Sequence, residues 1–147
     1  MGLFDKVMGK DGGKLSLNKQ EAFAAIAVAT VGADGDVSEE EVQRIVVNFA
    51  ALNAFRRSNM RDIADDLNQV AKLIKRHGAP AVVEAAKSTL PKESLNTAFF
   101  LAADLALADG VVEPKEEKFL EELQKTLGVD QALAEKIVEV VVIKNKA

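Results

Sequence analysis

Two stretches of the chain, GADGDVSEEE and, well downstream, LADGVVEPKEE, share the pattern A-D-G-x-V-x-x-x-E. In register, Asp34 matches Asp109, Gly35 matches Gly110, Val37 matches Val112 and Glu41 matches Glu116. The chemistry open to such residues is that of gathered carboxylates. Held together, carboxylates repel one another and resist ionisation. A hard divalent cation, which takes oxygen ligands, relieves that repulsion. Asp34, Glu41, Asp109 and Glu116 are therefore candidate ligands of a shared divalent ion (Ca²⁺, Mg²⁺, Mn²⁺ or Zn²⁺), provided the two copies meet. Asp36, Glu39, Glu40 and Glu113 are candidates at its rim. Asp104, inside an otherwise almost wholly apolar run, is a further one. A buried, unpaired carboxylate is costly, so Asp104 faces solvent, pairs with Lys or Arg, or helps hold the ion.

Helix capping accounts for the same letters without a metal. Gly35 and Gly110 suit the positive φ that ends a helix. Ser38 and Glu41 have capping-box spacing. Glu113 is a weaker cap, followed by Pro114 at a first-turn position where its missing N–H costs nothing. Val37 and Val112 then act as staples. Neither copy is an EF-hand: counting from Asp34, position six is Glu39 and position twelve Ile45, and from Asp109 they are Pro114 and Leu120.

Other chemistries lack their residues. The absence of cysteine excludes disulfides, thiolate catalysis and Cys-built metal centres. The single histidine, His77, follows Lys75 and Arg76 just before Gly78, where it suits the carbonyl end of a helix. No nucleophile–base–orienter set stands out, and GKDGG lacks the spacing of a phosphate-binding loop. The expectation is a protein that is not an enzyme. A formal charge of −4 argues against nucleic acid as the main partner. Nothing reads as a secretory signal or a bilayer span, so a cytoplasmic protein is expected.

The elements that must carry the two turns read as helices. Asn18 caps a first helix ending at the first turn, and the second starts at Ser38 with Val42, Ile45, Val46, Phe49 and Leu52 as its stripe. Phe55 packs from the following connection. A third helix, with Ser58 as its cap, carries Met60, Ile63, Leu67, Val70 and Ile74, and an Arg61–Asp65 surface pair. A shorter helix lies between Pro80 and Pro91. ESLNTAFFLAADLALADG is apolar on nearly every side and reads as the central, enclosed helix. Two more follow, the last capped by Asp130. Its VEVVVI is rich in β-branched residues, but a lone strand has no partner, so helix is preferred. The expected fold is all-α: about seven helices in one bundle over residues 18–147, containing two related hairpins. Residues 1–17 read as an N-terminal tail. In it Leu3, Phe4, Val7 and Met8 have helical spacing. Docking on the protein's own surface, contact with a membrane or partner, and lack of fixed structure all remain open for this tail.

VATVGADGDVSEEEVQRI, AADLALADGVVEPKEEKFLEELQKTLGV and the opening MGLFDKVMG resemble the TerB family of tellurite-resistance proteins. The resemblance implies an all-helical fold with related halves and acidic residues that bind divalent metal ions. The family's motif positions fall on Asp34, Glu41, Asp109 and Glu116. It also implies a role in tellurite, envelope or general stress resistance through other Ter-type proteins, at the inner face of the membrane. Apart from the resemblance, a homodimer is a further option. The second copy departs from the first: Val111 stands where the first has Asp36, and Pro114 where it has Glu39. The alternative is a metal-free helical adaptor or scaffold whose acidic turns are only caps.

Overall fold

The computed structural model describes residues 15–147. Its first helix, α1 (Lys19–Val31), opens on a reciprocal cap: Asn18 accepts the Glu21 N–H at 2.8 Å, and Glu21 accepts the Asn18 N–H at 2.9 Å. From Ala22 to Ala29 every residue is buried. A helix with no polar face must be enclosed, and the five alanines in this run let neighbouring helices approach closely. The remaining elements are α2 (Glu39–Ala50), a 3₁₀ turn (Asn53–Phe55), α3 (Met60–His77), α4 (Ala79–Thr89), α5 (Lys92–Ala106), α6 (Pro114–Leu127) and α7 (Gln131–Lys146). Seven α-helices and no strand occur among the described residues. VEVVVI lies within α7.

Packing follows the apolar faces. Helices α3, α4 and α5 all lie against α1, while α6 and α7 lie against α5. The stretch ending at Gly110 is enclosed as expected, with α5 covered by α1, α6 and α7, and α1 is enclosed as well. Much of α5 is buried, and its first turn carries exposed Lys92 and Glu93. The chain divides into two three-helix units, α1–α2–α3 and α5–α6–α7, joined through the α1–α5 contact. Helix α4 connects them and packs on α1 and α3. The expected stripes form the core: Ile45, Val46 and Phe49 of α2, and Ile63, Leu67, Val70 and Ile74 of α3. Met60 is exposed instead. Phe55 is buried between Phe49 and Phe23, with ring centroids 4.8 and 6.3 Å away.

Three local expectations need correction. The cap of α3 is Asn59, which accepts the Asp62 N–H at 2.8 Å. Ser58 has Arg61 three residues on, which cannot return a bond to the backbone N–H; Asn59 has Asp62, which does. Arg61 and Asp65 form no ion pair; the two among the described residues are Lys75–Asp36 and Lys144–Asp104. The folded body also begins before residue 18. Leu17 is buried in the core, Leu15 packs partly against it, and the Thr89 hydroxyl reaches the Leu17 carbonyl at 3.4 Å. Leu3, Phe4, Val7 and Met8 lie outside the described residues.

Candidate functional site: the paired acidic turns

The two acidic turns are built alike, bond by bond, 75 positions apart. Gly32 N–H closes α1 on the Val28 carbonyl at 2.7 Å, and Leu107 N–H closes α5 on the Ala103 carbonyl at 2.9 Å. Gly35 N–H donates to the Gly32 carbonyl at 2.8 Å, and Gly110 N–H to the Leu107 carbonyl at 3.0 Å. The Asp34 carboxylate accepts the Asp36 N–H at 2.9 Å, and that of Asp109 accepts the Val111 N–H at 3.0 Å. Glu41 accepts the Ser38 N–H at 2.9 Å, and Glu116 the Glu113 N–H at 3.1 Å. Each aspartate thus rigidifies its turn, and each glutamate satisfies an orphan donor where the next helix begins.

Each glycine presses its turn onto the third helix of its unit. Gly35 has φ +87° and Gly110 φ +76°, backbone conformations that L side chains rarely adopt. A Cβ on Gly35 would lie 2.8 Å from the Ala71 carbonyl oxygen and 2.6 Å from the Lys75 side chain. One on Gly110 would lie 2.8 Å from the Asn145 carbonyl oxygen. The turns therefore lock to the C-terminal ends of α3 and α7.

Polar groups complete each lock. Lys75 Nζ pairs with Asp36 at 2.9 Å across the first turn. That hydrogen bond, with the charges of Asp36 and Asp34, holds the ammonium above its ordinary pKa despite opposing desolvation. At the second turn the partner is Asp104, which resolves to the pairing alternative. It receives Lys144 Nζ at 3.1 Å and the Asn145 amide at 3.0 Å, and the same amide donates to the Leu107 carbonyl at 3.0 Å. Ala29 occupies the corresponding place in the first unit, so this network is one-sided.

The two turns border one cleft, the first through Ala33 and Glu41 and the second through Glu113 and Glu116. Glu41, Glu113 and Glu116 line this cleft of about 440 Å³ between the ends of α1 and α5 and the starts of α2 and α6. Asp34 and Asp109 are exposed and do not line it, and neither do Asp36, Glu39, Glu40 and Asp104. Arg44 and Lys115 share the cleft with the three glutamates and offset much of their charge. Among the described residues, no three His, Asp or Glu side chains gather closely enough to hold a metal ion. Asp34, Glu41, Asp109 and Glu116 accordingly do not fit a single shared ion in this arrangement. The aspartate carboxylates turn back to their own backbone, and that separates them from the glutamates. Val37 packs against the core as a staple, whereas Val112 is 42% exposed.

Lys144, Asn145, Arg44 and Lys115 were not legible as site residues. Lys144 and Asn145 lie about forty positions from Asp104, so no spacing rule links them. Arg44 and Lys115 sit one helical turn or less from Glu41 and Glu116, and that proximity was the available signal.

No helix among the described residues is long and apolar enough to cross a membrane. No curated protein and no solved structure matches the chain. The family model described as tellurite resistance protein TerB matches residues 20–138, from the first turn of α1 to the middle of α7, and so spans both acidic turns. With an all-helical fold that carries the duplicated turn at two corresponding joints, the chain belongs to the TerB family.

Proposed function

We propose that the chain is a non-enzymatic helical interaction module of a tellurite, envelope or general stress-resistance system. It acts in the cytoplasm, at the inner face of the membrane, through Ter-type protein partners. The observation that supports this reading is the use made of the acidic turns. Their aspartates bond backbone donors within the turns, their glutamates bond donors at helix starts, and their glycines lock each hairpin to its third helix. Such joints hold helix faces in fixed relation, which is what a partner-reading surface requires.

A second reading is favoured by one observation, the shared cleft of Glu41 and Glu116. In it a divalent cation enters at those two glutamates, with Glu113 beside them and Arg44 and Lys115 opposing by charge. One experiment separates the two. Pull-down with the tagged chain is repeated in EDTA and with Glu41→Gln/Glu116→Gln, alongside calorimetry with Ca²⁺, Mg²⁺, Mn²⁺ and Zn²⁺. Partner binding that persists in EDTA and in the double variant supports the metal-free module. Loss of partners in EDTA, with binding heat for one ion that vanishes in the double variant, refutes it and moves the function to the cation.

A further inference from the structure

The internal repeat exposes a difference between the two units. In the first, α2 packs on α3, Phe55 from the connection between them is buried against Phe49 and Phe23, and Val37 of the acidic turn packs against the core. In the second, α6 and α7 each pack on α5 but make no comparable contact with each other. Val112, the counterpart of Val37, stays exposed and lines a groove of about 640 Å³ between α6 and α7.

The groove has an apolar floor and acidic walls. Phe99 of α5, Leu120 of α6 and Ala134 of α7 lie buried at its base, and half-buried Val138 joins Val112 as the apolar surface that water reaches. Glu117 and Glu121 on α6, and Glu135 and Glu139 on α7, are spaced one helical turn apart, so each wall repeats its charge along the groove. All four are exposed, and none forms an ion pair among the described residues. Lys125 is the one lining cation among the described residues.

Shape and charge together select an occupant. The lining residues run from 117 to 125 on α6 and from 131 to 139 on α7, about 12 Å of helix on each side. A docked helix covers that length with apolar residues at i, i+3, i+4 and i+7. An extended peptide would instead need an open sheet edge, which a groove between helices does not offer. Cations flanking the apolar side would meet a glutamate on either wall, whereas an acidic helix would meet like charge on both.

We propose that the α5–α6–α7 groove binds a basic amphipathic helix of a partner protein, its apolar side on Val112 and Val138 and its Lys or Arg residues against the two acidic walls. This deepens the interaction-module reading above and rests on it.

The probe is a fluorescein-labelled peptide of about 15 leucine and lysine residues, with its leucines at i, i+3, i+4 and i+7. Fluorescence anisotropy reads its affinity for the full chain. Saturable binding is expected, weakened roughly tenfold or more in Glu121→Lys/Glu135→Lys. Asp65→Lys/Glu84→Lys changes the net charge equally at exposed positions of α3 and α4, and should alter binding little. A peptide of the same composition with its leucines dispersed around the helix is expected to bind the parent chain at least roughly tenfold more weakly, for want of an apolar side. That comparison uses the unaltered protein and so stands even where a variant folds poorly. Absence of saturable binding, equal losses in the two double variants, or equal affinity for the dispersed peptide overturns the proposal. So does a dimer of the chain, detected by sedimentation, that the peptide dissociates, since the groove then belongs to a second copy. Partners captured equally by the parent chain and by Glu121→Lys/Glu135→Lys overturn the groove but not the interaction-module reading, whereas partners lost in EDTA refute that reading.

Discussion

Replacing Gly35 by alanine tests whether the acidic turn is a joint between helices or merely a loop between them. At φ +87° a residue with a Cβ costs about 1–2 kcal/mol from backbone conformation alone. That Cβ would also stand 2.6 Å from the Lys75 side chain and 2.8 Å from the Ala71 carbonyl oxygen. The lysine can yield, but the helix backbone cannot without shifting α3, and overpacking of this kind adds about 1–3 kcal/mol. The sum is about 2–5 kcal/mol, with a fall in Tm of roughly 6–20 °C for a domain of this size. Gly128 is the internal control. Its φ is +71°, yet nothing lies within 4 Å of the position its Cβ would take. Gly128→Ala should therefore show the conformational cost alone, about 1–2 kcal/mol. Far-UV circular dichroism during thermal unfolding, with urea titration for the free energies, measures all three proteins. Equal losses in Gly35→Ala and Gly128→Ala would refute the reasoning, because the turn's contact with α3 would then contribute nothing.

Two further substitutions probe polar groups, one on α3 facing the start of α1 and one at the second turn. Desolvation, followed by the charges of Glu21, Asp62 and Asp65, raises the Asp66 pKa above its ordinary value. Its protonated form therefore favours the folded state. That contribution is complete below the unfolded carboxylate range and is lost as pH rises through the folded pKa, so Asp66→Asn should be more stable than the parent at neutral pH. The gain should shrink on acidification, and urea titrations at several pH values check it; a gain independent of pH would count against the assignment. Asn145→Ala removes the amide that serves both Asp104 and the Leu107 carbonyl, and is expected to cost about 1–3 kcal/mol by equilibrium unfolding, with faster amide exchange at the end of α7.

Much of the architecture was legible because it rests on local chemistry. Apolar residues at spacings of three and four identify α2, α3 and α6, and Asn18, Ser38, Pro114 and Asp130 mark where helices begin. The likeness of the two acidic turns was also readable, since their closing bonds run between residues no more than four apart. Periodicity could not rank two helices that are both apolar. Both are enclosed, α1 by α3, α4 and α5 and α5 by α1, α6 and α7, and only the fold shows which neighbours cover each. Residue types alone left the carboxylates free to converge. Tertiary packing brings Glu41 and Glu116 to one cleft, while each motif aspartate turns to its own backbone and Asp36 meets Lys75 nearly forty positions away. The sequence by itself determined the helices, their caps and the repeated turn, because those interactions close within a helical turn or two. Only the folded structure decided which charges share a space, because that depends on how remote helix ends are held against one another.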